Sequence, residues 1–487
     1  MKHSVSIKAR LALVMLIMTV LLMLVAHIDA PSSAQEPSPT PDSPATQMVL
    51  EMGATATQLA INETATQHAI NQQNTQTAID QTATATFGTP TPTSTPQTEL
   101  MLGIPPDYGE LRDTIHTQVA RFEAETGIKV FIDDDYGGPT YWDRADMSLQ
   151  LNDYDVVFVS ADLLNRWERA GHLLPMDGLI EDEDDFYPAV LDAVRVNGTL
   201  YCIPRDAWSM ALFYNRDSFD KALLEYPTDD WTWDDLRENS QLLLEANSEP
   251  LILDGYIDYW TSFLYQAGGR LTDSETGAWA FNSPEGLEAL TFYFDLYRMG
   301  HTPDEDRWLW GGSEFSANRA GMTVQGNWMM YTFMEDDYST VDWGTVELPS
   351  HRAEGTIVSS QCYGVASQTQ NREASVLLAN YLTNAESQTE LFFTSGLPSR
   401  MSLSEAYIDY WVNRASEKGL VWQRDDIQTF FDSLNHGFPL QSFSVGDRFQ
   451  NPLYDMFWDA FQRVLNGEMT AQEMLNQLDT VVITEEP

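Results

Sequence analysis

Positive charge is scarce in this sequence. Twenty-six Lys and Arg stand against 73 Asp and Glu, a formal net charge of −47 over 487 residues. A surface of that sign repels phosphate backbones and anionic membranes, which excludes nucleic acid as a partner. Cysteine is scarcer still. The chain has two, Cys202 and Cys362, and neither belongs to a CxxC or His-paired pattern, so no zinc site is expected. The eight histidines form no cluster of the kind that holds iron, and no cofactor is expected. Long apolar runs are nearly absent. The exception is Leu11–Ala26, preceded by Lys2, Lys8 and Arg10 and followed by Ile28-Asp29-Ala30 and Ser32-Ser33-Ala34. Residues 1–30 therefore read as an export signal, either cleaved or kept as an N-terminal anchor. No cysteine follows the run, which rules out a lipid-anchored N-terminus. Both outcomes place the rest of the chain outside the cytoplasm.

What is plentiful is aromatic: 14 Trp, 20 Tyr and 22 Phe. Tryptophan is often kept for flat-faced recognition, beyond its use in cores. Residues 31–97 are a low-complexity tract of Thr, Ala, Gln and Pro. Within it Ile61, Ile70 and Ile79 recur nine residues apart. Nine residues is two and a half helical turns, so they share no helical face. The tract reads as a flexible or partly helical stalk.

From Thr98 the composition becomes globular. Leu100–Ile104 is an expected strand. Leu111, Ile115, Val119 and Phe122 have helical spacing, and Gly127 ends that helix ahead of a strand over Ile128–Ile132. Val156–Val159 is a continuous apolar run, as in a buried parallel strand. The helix Leu163–Ala170 follows. Strands alternating with helices predict an α/β fold of doubly wound units. The chain is organised around Val196–Asp217, two strand-like runs broken by a polar elbow. Leu200–Ile203 leads to Pro204, which belongs at the end of a sheet. Arg205, Asp206 and Trp208 form the elbow, and Met210–Tyr214 enters a second sheet. Further on, Thr232 is placed to cap a helix, Leu287–Met299 reads as helix, Gly321–Val324 and Thr356–Ala366 as strands, and Pro452–Asp479 as helix.

Several stretches, in order, resemble one family. They are FEAETGIKV (122–130), DVVFVSADLLNRWERAGHLLPMD (155–177), GTLYCIPRDAWSMALFYNRDSFD (198–220), WTWDDL (231–236), AGMTVQGNWMM (320–330), YGVASQTQNREASVLLANYLTNAESQ (363–388) and VLNGEMTAQEML (464–475). Together they make residues 98–485 similar to the extracellular solute-binding proteins of ABC importers, in the sugar-binding group that includes maltose-binding protein. The resemblance implies a two-lobed periplasmic-binding-protein-like fold with a hinge between two doubly wound lobes. Lobe 1 would take about 98–205 and 358–400, and lobe 2 about 206–357 and 401–480. It also implies a monomer that captures a small molecule, a sugar or oligosaccharide, for an ABC transporter permease, without enzymatic chemistry.

The same resemblance selects candidate ligand-binding residues. Asp162 follows the buried strand at its carboxyl end, where ligands sit in open α/β sheets. Asp206 and Trp208 lie in the elbow, and Trp328 lies in QGNW, where the family carries an aromatic that stacks on the ligand. Tyr259 and Trp260 open a second-lobe helix. Trp308, with Trp310, is expected at the cleft or as a cap of the lobe. Gln361 and Tyr363 flank Cys362 on the returning strand. Asp107 and Tyr108 follow the first strand, although Ile104-Pro105-Pro106 replaces a more Trp-rich start. The resemblance makes the strands of Cys202 and Cys362 neighbours, so a disulfide between them is expected in an exported protein. The acidic runs Asp133–Asp135 and Glu181–Asp185 lack the spaced calcium-loop pattern and read as solvated loops. Two other functions compete: a secreted glycoside hydrolase working through two carboxylates, and a surface sensor or adhesion module on the stalk.

Overall fold

The computed structural model describes residues 98–481 except 107–108, 136–139, 247, 274–277, 301–310, 336–340, 395 and 441–451. The export segment and the stalk therefore lie outside the described residues, as do Asp107, Tyr108, Trp308 and Trp310. Among the described residues no helix is long and apolar enough to cross a membrane.

The strands are β1 (Glu99–Gly103), β2 (Lys129–Asp133), β3 (Val156–Ser160), β4 (Arg195–Val196), β5 (Thr199–Leu200), β6 (Cys202–Pro204), β7 (Asp206–Asn215), β8 (Leu251–Ile252), β9 (Met322–Gly326), β10 (Trp343–Val346), β11 (Thr356–Ser359), β12 (Gln361–Val365), β13 (Leu397–Pro398) and β14 (Gly437–Pro439). Most of them belong to two sheets, one per lobe. Among the described residues the first is five-stranded in the order β2-β1-β3-β12-β6, and the second is seven-stranded, with β14-β11-β7-β9-β8 as its path and β10 and β13 also on β7.

Local sequence explains these elements. β3 is flanked by parallel β1 and antiparallel β12, and Val156, Val157, Phe158 and Val159 are all buried. A strand covered on both faces needs such an unbroken apolar run. The helix Glu110–Thr126 buries Ile115, Val119 and Phe122, and ends on Gly127 at φ 73°, whose N–H donates to Glu123 O. A left-handed cap of this kind favours glycine. The helix Trp233–Glu245 opens with a capping box between Thr232 and Asp235, which satisfies two otherwise orphaned N–H groups.

β7 is the spine of the second lobe. Met210, Leu212 and Tyr214 join one apolar cluster, while Ala207, Ala211 and Phe213 join another. This is the period-two alternation of a strand with a core on each face. The first lobe has its own core, from Leu100 through Phe122, Trp167 and Tyr363 to Leu382.

Two of the three passages of the chain between the two sheets run through single residues, and the third leads from β12 to β13. Arg205 joins β6 to β7, and Ser360 joins β11 to β12. Trp208 thus lies inside β7, opposite Ser359 of β11, and the elbow expected over 205–208 shrinks to Arg205. Pro204 tolerates strand geometry because β6 is an edge strand. The return falls at Ser360, close to the expected boundary at about 358, because β11 pairs β7 and β14. The helix Pro188–Ala193 precedes the first crossing yet packs with the second lobe's cluster, where Tyr187 stacks on Phe431 with ring centroids 6.0 Å apart.

β6 and β12 are antiparallel neighbours, with Gly364 opposite Cys202 and Cys362 opposite Pro204. Cys202 and Cys362 are joined as a disulfide across this pair, with Cα atoms 5.7 Å apart.

Candidate functional site

The two single-residue crossings are fastened to each other at the waist. Arg205 N–H donates to Gln361 O at 2.8 Å, and Ser360 Oγ donates to Asp206 O at 2.7 Å. Asp206 is the hub. Its carboxylate accepts from Arg205 Nε at 3.1 Å and Nη2 at 2.6 Å, from Trp208 Nε1 at 2.9 Å and from Gln361 N at 2.9 Å. The Arg205 guanidinium also donates to the Gln361 side-chain oxygen and lies 5.0 Å from the Phe158 ring centroid. Asp206 is buried, so its oxygens serve the waist.

Above this waist opens a cleft. Its larger part, about 600 Å³, is walled from the first lobe by Ile104, Pro105, Glu110, Leu111, Arg112, Ile115, Trp142 and Phe158. Arg205 and Gln361 form its floor, and Trp208, Tyr331, Phe393, Thr394 and Arg414 close the other side. A second part of about 250 Å³ shares Trp208 and Gln361 and adds Ser160, Ser209, Met210, Asp258, Trp328, Ile357, Ser359 and Leu440. Aromatic faces with a few polar groups make up both walls, the usual build of a small-molecule site.

The indoles of Trp208 and Trp328 pack against each other with centroids 6.2 Å apart and planes tilted by 38°. Trp328 lies over Gly326, where an added Cβ would come within 2.1 Å of the ring. Trp328 Nε1 donates to Gln325 Oε1 at 3.2 Å, and Tyr259 OH donates to the same oxygen at 3.0 Å. Gln325 Nε2 donates to Asp254 Oδ2 at 2.5 Å, and Gly311 N to Asp254 Oδ1 at 2.9 Å. Burial pushes the Asp254 carboxyl up to about 6, and the Gly311 N–H and Gln325 amide hold it from rising further.

The candidates from sequence sort unequally. Trp208, Trp328 and Gln361 line the cleft. Tyr259 is buried behind Trp328 and reaches it through Gln325. Trp260 is fully buried in the second-lobe core, 5.8 Å from Phe457 and 6.3 Å from Phe281. Tyr363 is likewise in the first-lobe core, edge-on to Phe158 at 5.9 Å. Asp162 falls in the first turn of the helix Ala161–Arg169, and its side chain lies outside what the structure describes. Of the acidic runs, Asp134 is engaged by Arg112 at 2.6 Å and His116 at 2.8 Å, and Asp185 accepts from Ser402 N and Oγ at 2.9 and 2.7 Å.

Sequence reasoning missed Trp142, Tyr331, Phe393, Arg112, Arg414 and Asp258. Trp142 and Asp258 each sit in the first turn of a helix, Tyr141–Leu151 and Ile257–Gln266. An aromatic or acid in the first turn of a helix that follows a strand was the available signal.

A family profile described as bacterial extracellular solute-binding protein matches residues 108–389. The maltotriose-binding protein of Pyrococcus abyssi is 26% identical over 239 residues, 47% of this chain and 50% of that relative. The mannitol-binding protein of Pseudomonas aeruginosa is 35% identical over 95 residues, 19% of this chain and 22% of the relative. The chain thus matches half or less of the length of these two relatives. Among solved structures, the sugar-binding protein MalE of Xanthomonas citri superposes with a TM-score of 0.65 at 20% identity, covering 79% of this chain and 96% of that one. The cyclic alpha-maltosyl-1,6-maltose binding protein of Arthrobacter globiformis gives 0.63 at 20% identity, covering 79% and 97%. The fold is the two-lobed one of these proteins, and the chain belongs to the bacterial extracellular solute-binding protein family.

Proposed function

We propose that this chain captures a sugar or oligosaccharide outside the cytoplasm, in the cleft between its lobes, and delivers it to the permease of an ABC transporter. The observation that carries this reading is the pair of indoles, Trp208 and Trp328, packed next to each other on the lining of a cavity that also takes in Gln361. The CH face of a sugar ring packs on an indole, while its hydroxyls need fixed polar partners. Gln361, Ser160, Asp258 and Thr394 offer such groups on the walls. The names of the relatives, for maltotriose, mannitol and a cyclic maltosyl-maltose, point to the same ligand class. Binding here requires no covalent step. It requires a closed state that the ligand stabilises, with the single-residue crossings at Arg205 and Ser360 as the hinge.

A thermal-shift screen of the full chain against sugars, polyamines and metal salts tests the reading. A ligand that binds only the folded chain adds about 2.7 kcal/mol of stability at a hundredfold excess over its dissociation constant. A shift with a sugar class supports the proposal. A shift confined to polyamines or cations removes the carbohydrate assignment and leaves the fold.

A further inference from the structure

We propose that Asp254 is the positioning residue of Trp328: through Gln325, its carboxylate dictates which edge of the indole is held and therefore which face is turned to the cleft. The proposal rests on the reading of Trp328 as a ligand-stacking side chain. Asp254 does not line the cleft, so its part is visible only through the hydrogen bonds behind the wall.

The logic is one of donors and acceptors. An ionised carboxylate can only accept, so the Gln325 end that meets Asp254 Oδ2 at 2.5 Å has to be the amide NH₂. The Gln325 oxygen then faces the other way, and there it meets two groups with hydrogens to give, the Trp328 indole N–H at 3.2 Å and the Tyr259 hydroxyl at 3.0 Å. The opposite amide orientation would set oxygen against oxygen at the carboxylate and hydrogen against hydrogen at the indole. Gln325 is fully buried and Asp254 is 4% exposed, so water offers no substitute partner and the pattern is fixed. Gly311 N–H holds the second carboxylate oxygen at 2.9 Å. Tyr293 OH donates to the Asp254 backbone carbonyl at 2.6 Å and leaves the carboxylate to Gln325. Gly326 completes the seat by leaving the Trp328 ring room that a Cβ would take.

The test uses two variants whose polarity differs in a stated way. In D254N the amide introduced at position 254 is a donor toward Gln325, which turns the Gln325 NH₂ toward the indole N–H. In D254N/Q325E the new carboxylate at position 325 accepts from the position-254 amide on one oxygen and from Trp328 and Tyr259 on the other, which rebuilds the original pattern. The readout is the indole N–H resonance of Trp328 in the ligand-free full chain, assigned by its loss in W328F. The expected result is an upfield displacement and faster solvent exchange in D254N, with return to the wild-type position in D254N/Q325E. An unchanged resonance in D254N overturns the proposal. So does displacement that the double variant fails to restore, because packing alone would then explain it. If D254N does not fold by circular dichroism, the double variant decides alone. A folded double variant with the wild-type resonance supports the proposal, and an unfolded one or a displaced resonance overturns it. With maltotriose as probe, D254N is expected to weaken any measured affinity about tenfold and the double variant to recover it. Because the resonance is read without ligand, failure of every sugar to bind would remove the functional reading and leave this test standing.

Discussion

The backbone N–H of Gln361, the first residue of the returning strand β12, donates at 2.9 Å to the carboxylate of Asp206, the first residue of the outgoing strand β7. The two single-residue crossings are therefore joined through one side chain. That carboxylate also neutralises Arg205 at 2.6 Å, with both side chains 7% exposed. Removing one member of a buried pair leaves the other charge uncompensated. Asp206→Asn is predicted to cost about 3–5 kcal/mol of unfolding free energy. Urea denaturation checks this, and a loss below about 1 kcal/mol would mean that the pair is solvated in solution.

The disulfide lies one strand-end away from the same waist. Cys202 and Cys362 are separated by 160 residues in sequence, so opening the bond releases a long loop in the unfolded chain. The C202S/C362S variant is predicted to lose about 2–4 kcal/mol. A thiol assay on the denatured, non-reduced chain should find no free thiol, and two free thiols per chain would contradict the bond.

Asp254 gives a pH signature with a definite sign. Its carboxyl titrates near 6 in the fold, raised by burial from an ordinary 3.8. The folded state thus keeps a proton that the unfolded chain has lost, and this group's contribution to stability falls as pH rises from about 4 to about 6, then levels off. The rise from 3.8 to about 6 corresponds to about 3 kcal/mol. The amide of D254N cannot titrate, so the stability of the wild type relative to D254N should decline by up to that amount across the window. Chemical denaturation of both chains at several pH values measures it. A difference that is flat, or that grows with pH, would contradict the burial of this carboxyl.

Gly326→Ala probes the seat of Trp328. The added Cβ would come within 2.1 Å of the ring, closer than two carbons can approach, so the indole must move. Sugar affinity is predicted to fall by about tenfold, with stability changed by about 1–2 kcal/mol. Calorimetry and thermal melting separate the two effects, and unaltered affinity would show that the indole's position is immaterial.

Much of the fold was legible because local patterns and the tertiary arrangement agree. Val156–Val159 is apolar throughout because neighbouring strands and helices enclose it. Gly127 and Thr232 mark helix ends by their own backbone chemistry. The site was legible where a residue sits on a strand or its turn, as Trp208, Trp328 and Gln361 do. It was illegible where helix rotation decides. Tyr259 and Trp260 are adjacent, so their side chains point about 100° apart, and all ten residues of Ile257–Gln266 are buried. No polar face marks which residue looks to the cleft. Asp258 lines it, Tyr259 supports it from behind, and Trp260 enters the core. Arg112, Tyr331, Phe393 and Arg414 come from four separate segments that only the tertiary arrangement of the lobes brings together.

The most direct experiment is a calorimetric titration of the full chain and of Trp328→Ala with maltotriose, longer maltodextrins and mannitol. Saturable binding of at least one of these sugars is predicted for the wild type, with affinity lowered about tenfold or more in the variant, the order of the stacking contribution of one indole. Saturable sugar binding that Trp328→Ala leaves unchanged would contradict the assigned site. A wild type silent to every sugar, yet responsive to a polyamine or a cation, would contradict the assigned ligand.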